Sequence, residues 1–192
     1  MIHRLNEIDT SFFHFINGTL SNRLFDFLMP VITNQNYWIV PIFVLLIYLW
    51  IRGGKRGRFA ACLLIIIVAA TDTIGAQVIK PWVGRLRPSH VMTNNINLLM
   101  PKGGQYSFIS NHAANLFSAA TVLTYFYSKW KIWLYSIAAA IAFSRVYVGV
   151  HYPGDVLFGA LFGYGLAWGI ISLWVILKTR EIKKGHSWVL YK

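Results

Sequence analysis

A histidine and an aspartate stand four residues apart, His151 and Asp155, where an apolar run begins after a short turn. Arg145 closes the apolar run before this turn. A carboxylate that holds one nitrogen of an imidazole leaves the other free to act as a nucleophile or a base. Charged groups at the edge of an apolar span are costly, so they indicate a functional site. A helix cap beside an interfacial histidine fits the same residues, and this stretch alone does not decide between the two interpretations.

The residues around this pair predict the start of a helix. Proline is well suited to the first position of a helix, where its missing N–H costs nothing, and Pro153 can take that place. Asp155 then falls in the first turn, where a negative charge suits the helix dipole. His151 lies just before the helix and within reach of Asp155.

Two further groups of polar residues could bind an anion. Lys80 supplies a compact charge and Arg87 a planar fork for phosphate oxygens. Taken alone, however, these residues favour a basic flank that snorkels to lipid headgroups. Ser110 or Asn111 can cap the helix that follows, and backbone N–H groups at a helix start also bind phosphate. Capping does not explain His112.

The composition indicates an integral membrane protein. Of the 192 residues, 56% are hydrophobic and only 12% are charged, whereas a soluble domain carries about 25% charged residues. The net charge of +12 does not indicate a nucleic-acid partner, because the basic residues cluster at the ends of apolar segments. We expect one membrane-embedded domain over residues 1–192.

The apolar runs predict an all-α polytopic bundle of about six transmembrane helices, with an amphipathic N-terminal helix over residues 3–20. Residues 52–58 are expected to form a basic loop, and residues 80–111 a long polar connection. Asp72 is expected to hydrogen-bond a neighbouring helix or to brace the site. Whether residues 11–33 form a full span is left open. The other predicted spans are residues 37–51, 59–79, 112–128, 132–150 and 154–177.

The basic residues also predict the orientation. The 52–58 loop, the 128–131 turn and the C-terminal tail carry most of them and fall on one face, which should be cytoplasmic. The 80–111 connection and the 149–154 turn, which hold the three polar groups, then share the opposite face.

The three groups, in this order, resemble the type 2 phosphatidic acid phosphatase superfamily, the integral-membrane lipid phosphatases. The first motif of that family, K-x6-R-P, matches residues 80–88, and its third, S-R-x5-H-x3-D, matches residues 144–155. The second, P-S-G-H, reads I-S-N-H at residues 109–112, so the serine and the histidine are kept while the proline and the glycine are not. The resemblance covers about residues 59–177.

The resemblance implies catalysis through a phosphohistidine, with no metal or other cofactor. His151 would attack phosphorus, Asp155 would orient His151, and His112 would protonate the leaving oxygen. The residues implied to hold the phosphoryl oxygens are Lys80, Arg87, Ser110, Asn111 and Arg145.

The implied substrate is an envelope lipid of the bacterial inner membrane, reached from the periplasmic side. Lipid A 1-phosphate, undecaprenyl diphosphate, phosphatidylglycerophosphate and phosphatidic acid all remain open, as does the oligomeric state. A non-catalytic lipid or anion transporter could use the same basic pocket, but it would not need His151 and Asp155 at this spacing. The vanadium-dependent haloperoxidases share the pocket chemistry, but they are soluble enzymes.

Overall fold

The computed structural model describes residues 2–92 and 95–191, and within these it is helical throughout, as predicted. The one extended pairing in these ranges is an isolated antiparallel bridge between Leu86 and Tyr106. Thr93 and Asn94 of the 80–111 connection and Lys192 of the tail lie outside the described residues. The α-helices are α1 (Ile2–His14), α2 (Arg23–Thr33), α3 (Asn36–Ile51), α4 (Gly54–Thr73), α5 (Lys80–Val83), α6 (Pro88–Val91), α7 (Asn111–Phe126), α8 (Lys131–Tyr147) and α9 (Pro153–Lys183). Two π-helical segments, Phe15–Thr19 and Ile74–Ile79, follow α1 and α4, and a 3-10 turn, Ser128–Trp130, precedes α8.

Helix α7 lies at the centre of the bundle and packs against α4, α8 and α9. Its closest neighbour is α9, because two glycines on α9 let the backbones approach. A Cβ atom at Gly159 would lie 2.6 Å from the carbonyl oxygen of Ser110, and one at Gly163 would overlap the carbonyl of Ala114. This contact places the start of α7 beside the start of α9, and the Ser110 N–H donates to the Asp155 carbonyl at 2.9 Å.

Within the described ranges, two continuous helices are long and apolar enough to cross a membrane, Gly54–Val83 and Pro153–Lys183. The first combines α4, the π-helical segment Ile74–Ile79 and α5. The pair α2 and α3, bent by 48°, could form a third span. Helices α7 and α8 have only 16 and 17 residues, about 25 Å of helix. The figure of six crossings therefore stays a prediction.

The structure bears on whether residues 11–33 form one crossing, which the sequence left open. The chain leaves the helical path at residues 20–22, between the first π-helical segment and α2. Both ends of α2 bond to the same end of α8: the Asn22 N–H donates to the Tyr147 hydroxyl, and Arg145 donates to the Thr33 hydroxyl. Helix α2 therefore lies across this end of the bundle, and α3 runs away from it.

The predicted basic loop at residues 52–58 is also shorter than expected. Helix α4 already begins at Gly54, so Lys55, Arg56 and Arg58 lie in its first turns. Arg56 donates to the carbonyl of Phe126 at the end of α7, and Lys55 donates to the carbonyl of Ser187 in the C-terminal tail. These contacts gather the basic segments at one end of the bundle, opposite the polar groups singled out in the sequence.

Candidate functional site

His151 and Asp155 lie side by side in the interior of the protein. His151 occupies the turn between α8 and α9 and is 1% exposed, while Asp155, in the first turn of α9, is fully buried. His151 Nδ1 faces Asp155 Oδ2 at 3.5 Å and the Ser107 hydroxyl at 3.4 Å. With Nδ1 directed at these oxygens, Nε2 is the nitrogen left for chemistry.

The Asp155 carboxylate is held by several donors. Its Oδ2 accepts from the Tyr152 N–H at 2.8 Å and from the Ser107 hydroxyl in a short hydrogen bond. Its Oδ1 pairs with the Arg85 guanidinium at 2.9 Å. A buried carboxylate needs such partners because an isolated buried charge is very costly. The orientation of the carboxylate towards His151 is therefore fixed by the fold.

Two cations of the first motif bond to the backbone around this pair. Lys80 Nζ donates to the carbonyls of Ile109 at 2.6 Å and Ser107 at 3.3 Å. Arg87 donates to the carbonyls of Tyr106 and Val150, at 3.2 and 3.3 Å. The Val150 contact places the Arg87 guanidinium next to the turn that carries His151.

Arg145 and Ser110 hold polar atoms whose hydrogen-bonding capacity is unused. The Arg145 NH1 group donates to the Thr33 hydroxyl at 2.9 Å, but Arg145 Nε is buried and bonds to nothing in the described part of the chain. The Ser110 hydroxyl is equally buried and unpaired among these residues. Although Ser110 stands at the N-cap position of α7, its side chain does not cap the helix. Buried unpaired donors of this kind suit an anionic ligand.

The rest of the second motif lies at the start of α7, which begins at Asn111. His112 follows in the first turn and interacts electrostatically with Arg145, Arg87 and Lys80. The Asn111 amide donates to Asp72 Oδ1 at 2.9 Å, and Asn115 donates to the same atom at 3.3 Å. Asp72 therefore bonds a neighbouring helix, which was one of the two roles expected for it.

Burial sets the protonation state of the site. It lowers the pKa of His151 from 6.5 to about 3, although the contact with Asp155 opposes this shift. At neutral pH the imidazole is therefore uncharged, and Nε2 keeps its lone pair. Burial also lowers the pKa of Arg87 from its ordinary value, with the negative charge of Asp155 acting in the opposite direction.

The structure thus brings the three groups of sequence-predicted residues to one end of the bundle. His151, Asp155, Lys80, Arg87, Arg145 and Ser110 are linked through hydrogen bonds and shared backbone, with Asn111 and His112 following Ser110. Among the described residues, no group of three or more His, Cys, Asp or Glu side chains could hold a metal ion.

The PAP2 superfamily model matches residues 58–179. The chain belongs to the PAP2 superfamily. The match nearly coincides with the part of the sequence, 59–177, that carries the three motifs. The predicted enzyme class, a phosphatase, is confirmed with the family.

Relatives of this PAP2 protein include lipid phosphatases from distant organisms. The chain is 33% identical to a lipid A 4'-phosphatase of Bacteroides thetaiotaomicron, covering 85% of this chain and 75% of the relative. It is 37% identical to an undecaprenyl-diphosphatase of Sulfolobus acidocaldarius, covering 77% and 66%. The crystal structure of Aquifex aeolicus LpxE superimposes with a TM-score of 0.65 at 27% identity, covering 86% and 94%.

Three residues that hold Asp155 in place were missed in the sequence: Ser107, Arg85 and Asp9. Ser107 lies in the long connection, where no periodicity marks it. Arg85 lies between the two motif cations, Lys80 and Arg87, and its position there was a usable signal. Asp9 contacts the site only because α1 folds against the start of α9.

Proposed function

We propose that this PAP2 protein hydrolyses a phosphate ester or diphosphate of an envelope lipid through a phosphohistidine on His151. The observation that carries the proposal is the buried, neutral His151, whose Nδ1 faces Asp155 and Ser107. The charges of Arg87 and Arg145 act on this imidazole, and Lys80 bonds to the carbonyl of Ser107 beside it. A phosphoryl group needs a positioned nucleophile and positive charge around its equatorial oxygens, and this arrangement offers both.

In the first step, His151 Nε2 forms a bond to phosphorus and the bond from phosphorus to the lipid oxygen breaks. His112, in its protonated imidazolium form beside the bound phosphate anion, gives a proton to the departing oxygen and becomes neutral. The lipid therefore leaves as an alcohol, or as a lipid phosphate if the substrate is a diphosphate. Asp155 stabilises the positive imidazole that results, because its carboxylate faces Nδ1. Lys80, Arg87, Arg145 and Ser110 hold the phosphoryl oxygens, with Asn111 at the start of the same helix.

In the second step, water attacks phosphorus and the bond to His151 Nε2 breaks. His112, now without its proton, accepts one from the water. Inorganic phosphate leaves, and both histidines return to their starting states. No step uses a metal ion.

The substrate proposed is a lipid of the bacterial cell envelope. The relatives named as acting on lipid A and on undecaprenyl diphosphate support the lipid phosphate class and leave the individual lipid open. The site lies at one end of apolar helices, where a phosphate headgroup would sit while its chains stay in the bilayer.

The test is phosphate release from a panel of purified lipid phosphates by the full-length protein in detergent or liposomes. The panel holds phosphatidic acid, phosphatidylglycerophosphate, undecaprenyl diphosphate and lipid A carrying a 1- or a 4'-phosphate. We expect release from at least one lipid, undiminished by EDTA, and none from a protein lacking both His112 and His151. Transport of a lipid without phosphate release would instead favour a transporter.

We further propose that the site faces the periplasm of the inner membrane, since the basic end of the bundle holds most of the exposed lysine and arginine side chains. In a Cys62→Ala background, a cysteine introduced at Gly104, near the site, should react with an impermeant thiol reagent added to intact cells. A cysteine at Lys129, at the basic end, should react only after lysis. The opposite labelling pattern would place the site in the cytoplasm.

A further inference from the structure

Arg85 lies outside the three motif positions, yet its guanidinium joins two carboxylates. Its NH1 pairs with Asp155 Oδ1 at 2.9 Å, and its NH2 pairs with Asp9 Oδ2 at 2.7 Å. The Asn6 side chain accepts from the same NH2 at 3.1 Å. The guanidinium also stacks on the Tyr152 ring, 3.9 Å from its centroid. Both edges and one face of Arg85 are thus occupied, so it is not free to bind a phosphate of the substrate.

Asp9 makes a second contact, which reaches the helix that carries Asp155. Its Oδ1 accepts from the Gly154 N–H at 2.7 Å, in the first turn of α9. A Cβ atom at residue 154 would lie 2.9 Å from Asp9 Oδ2, so glycine allows the carboxylate to approach. Asp9 therefore touches both the helix start that carries Asp155 and the arginine that pairs with Asp155.

The charges of this group explain why an arginine can sit on the carboxylate that orients the nucleophile. Arg85 alone would neutralise Asp155 and weaken its hold on a positively charged imidazole. With Asp9 on the other edge of Arg85, two negative charges face one positive charge, and one negative charge remains. Asp155 Oδ2, on the side of His151 and Ser107, thus keeps its negative character while Oδ1 is held in place.

We infer that Arg85 and Asp9 are positioning residues for the His151–Asp155 pair, and that the N-terminal helix α1 belongs to the active site through them. The inference rests on the proposed function, in which His151 is the nucleophile. It predicts that removing the charge of Asp9 slows phosphorylation of His151, although Asp9 lies on α1, which carries no residue of the three motifs.

The experiment compares Arg85→Gln, Arg85→Lys, Asp9→Asn and the Asp9→Asn/Arg85→Gln double variant in the purified full chain. The probe is nitrophenyl phosphate, whose good leaving group needs little help from His112, so trapping of the phosphoenzyme in a single turnover reports on the nucleophile. The inhibition constant of inorganic phosphate, measured in parallel, reports on the phosphate-binding residues. The Asn side chain at residue 9 can still accept from Gly154 N–H, so Asp9→Asn mainly removes the charge that faces Arg85.

We expect Arg85→Gln to slow phosphorylation about 10- to 100-fold, as a misplaced reacting group does. Arg85→Lys should restore part of this loss, because it keeps the charge but cannot bridge two carboxylates. Asp9→Asn should cost about 3- to 10-fold alone and almost nothing in the Arg85→Gln background, since residues that act through one another are not additive. Inhibition by inorganic phosphate should change by no more than about twofold, because Lys80, Arg87 and Arg145 are unaltered.

Two matched controls remove charges elsewhere: Arg4→Gln on the exposed side of α1 and Glu181→Gln at the far end of α9. Both should phosphorylate at the wild-type rate. A wild-type rate in Arg85→Gln would overturn the inference, as would losses for Asp9→Asn and Arg85→Gln that simply multiply. Equal losses of rate and of phosphate inhibition would also overturn it, since they would indicate a general structural role.

A second measurement needs no turnover. The ¹⁵Nδ1 resonance of His151 should shift in Asp9→Asn and in Arg85→Lys and stay in place in Arg4→Gln, because the first two change the carboxylate that faces Nδ1. An unmoved resonance in both variants would refute the inference. A wild-type protein that releases no phosphate would refute the proposed function instead, while this measurement would still decide on the role of Arg85 and Asp9.

Discussion

The two histidines of this PAP2 site have contrasting surroundings. His151 is 1% exposed, and the carboxylate it faces has partners on both oxygens. Around His112, the Ser110 hydroxyl and Asn111 Oδ1 are buried without a partner in the described part of the chain. The proposed nucleophile, His151, is thus held by the protein itself. The proposed general acid, His112, lies beside polar atoms that have no hydrogen-bond partner in the described part of the chain.

This contrast has an energetic meaning. A buried polar group without a partner lowers the stability of the folded protein by about 1–3 kcal/mol. Proteins keep such groups at functional sites, where a bound ligand supplies the missing hydrogen bond. The His151 side is already satisfied, so its residues should matter for stability as well as for the chemical step. The Ser110 side should matter for binding and for the departure of the lipid, and its residues should contribute nothing to the stability of the ligand-free protein.

The largest effect should come from His151→Ala. Without the imidazole no phosphoenzyme can form, so labelling from a radioactive phosphate donor and turnover should both disappear for every substrate. Circular dichroism should show an unchanged helix content, because the substitution leaves the backbone contacts of the turn in place. Labelling of the His151→Ala protein on another histidine would exchange the roles of His151 and His112.

His112→Ala should have an effect that depends on the leaving group. A lipid alkoxide needs a proton, so phosphorylation from an alkyl phosphate should fall by about 10²–10⁴-fold, the usual contribution of general acid catalysis. A nitrophenolate needs little help, so the rate of phosphorylation from nitrophenyl phosphate should fall far less. With a diphosphate lipid, the fall in rate should lie between these two values. Single-turnover trapping of the phosphoenzyme separates this step from its hydrolysis. Equal losses on all three substrates would assign His112 to phosphate binding.

The sequence was sufficient to place the motif-bearing helices and the charged residues of the site. Helix α9 begins at Pro153 and α7 begins at Asn111, each within one residue of the predicted start. These predictions succeeded because proline, capping residues and the ends of apolar runs act locally. The motif residues could be found because they stand at fixed spacings.

The features that could not be predicted from the sequence depend on contacts between distant segments of the chain. Ser107 was missed because its bond to Asp155 joins residues 48 positions apart, and no local pattern marks a serine in a polar loop. Whether residues 11–33 cross the membrane stayed open in the sequence because apolar composition does not reveal that α2 lies across the end of α8. The π-helical segment before Lys80 has no sequence signal either, although such segments often occur near functional sites.

Two serines allow a direct test of the contrast. Ser107→Ala removes a buried donor to a charged carboxylate, so the free energy of unfolding should fall by about 1.5–3 kcal/mol and phosphorylation should slow about tenfold. Ser110→Ala removes a buried, unpaired hydroxyl, so the free energy of unfolding should not fall and should rise by up to about 1–3 kcal/mol. Its effect should appear as weaker inhibition by inorganic phosphate. Denaturation in mixed micelles measures the free energy of unfolding, and single-turnover kinetics measure the rate of phosphorylation. Equal destabilisation by the two substitutions would contradict the proposed difference between the His151 side and the Ser110 side.

The smallest effect should come from Asp72→Asn, at the edge of the His112 side. Asp72 is exposed and accepts hydrogen bonds from Asn111 and Asn115, so it orients the start of α7 without touching the proposed nucleophile. An asparagine keeps an acceptor for these amides, and exposed charge interactions are worth only about 0–1 kcal/mol. We therefore expect the rate of phosphorylation to fall by only about two- to fivefold. The loss should be larger with an alkyl phosphate than with nitrophenyl phosphate, because Asn111 adjoins His112. An equal loss of rate with both substrates would indicate that Asp72 acts through the phosphate-binding cations and not through His112. Lys80 lies two turns further along the same helical path and could transmit such an effect.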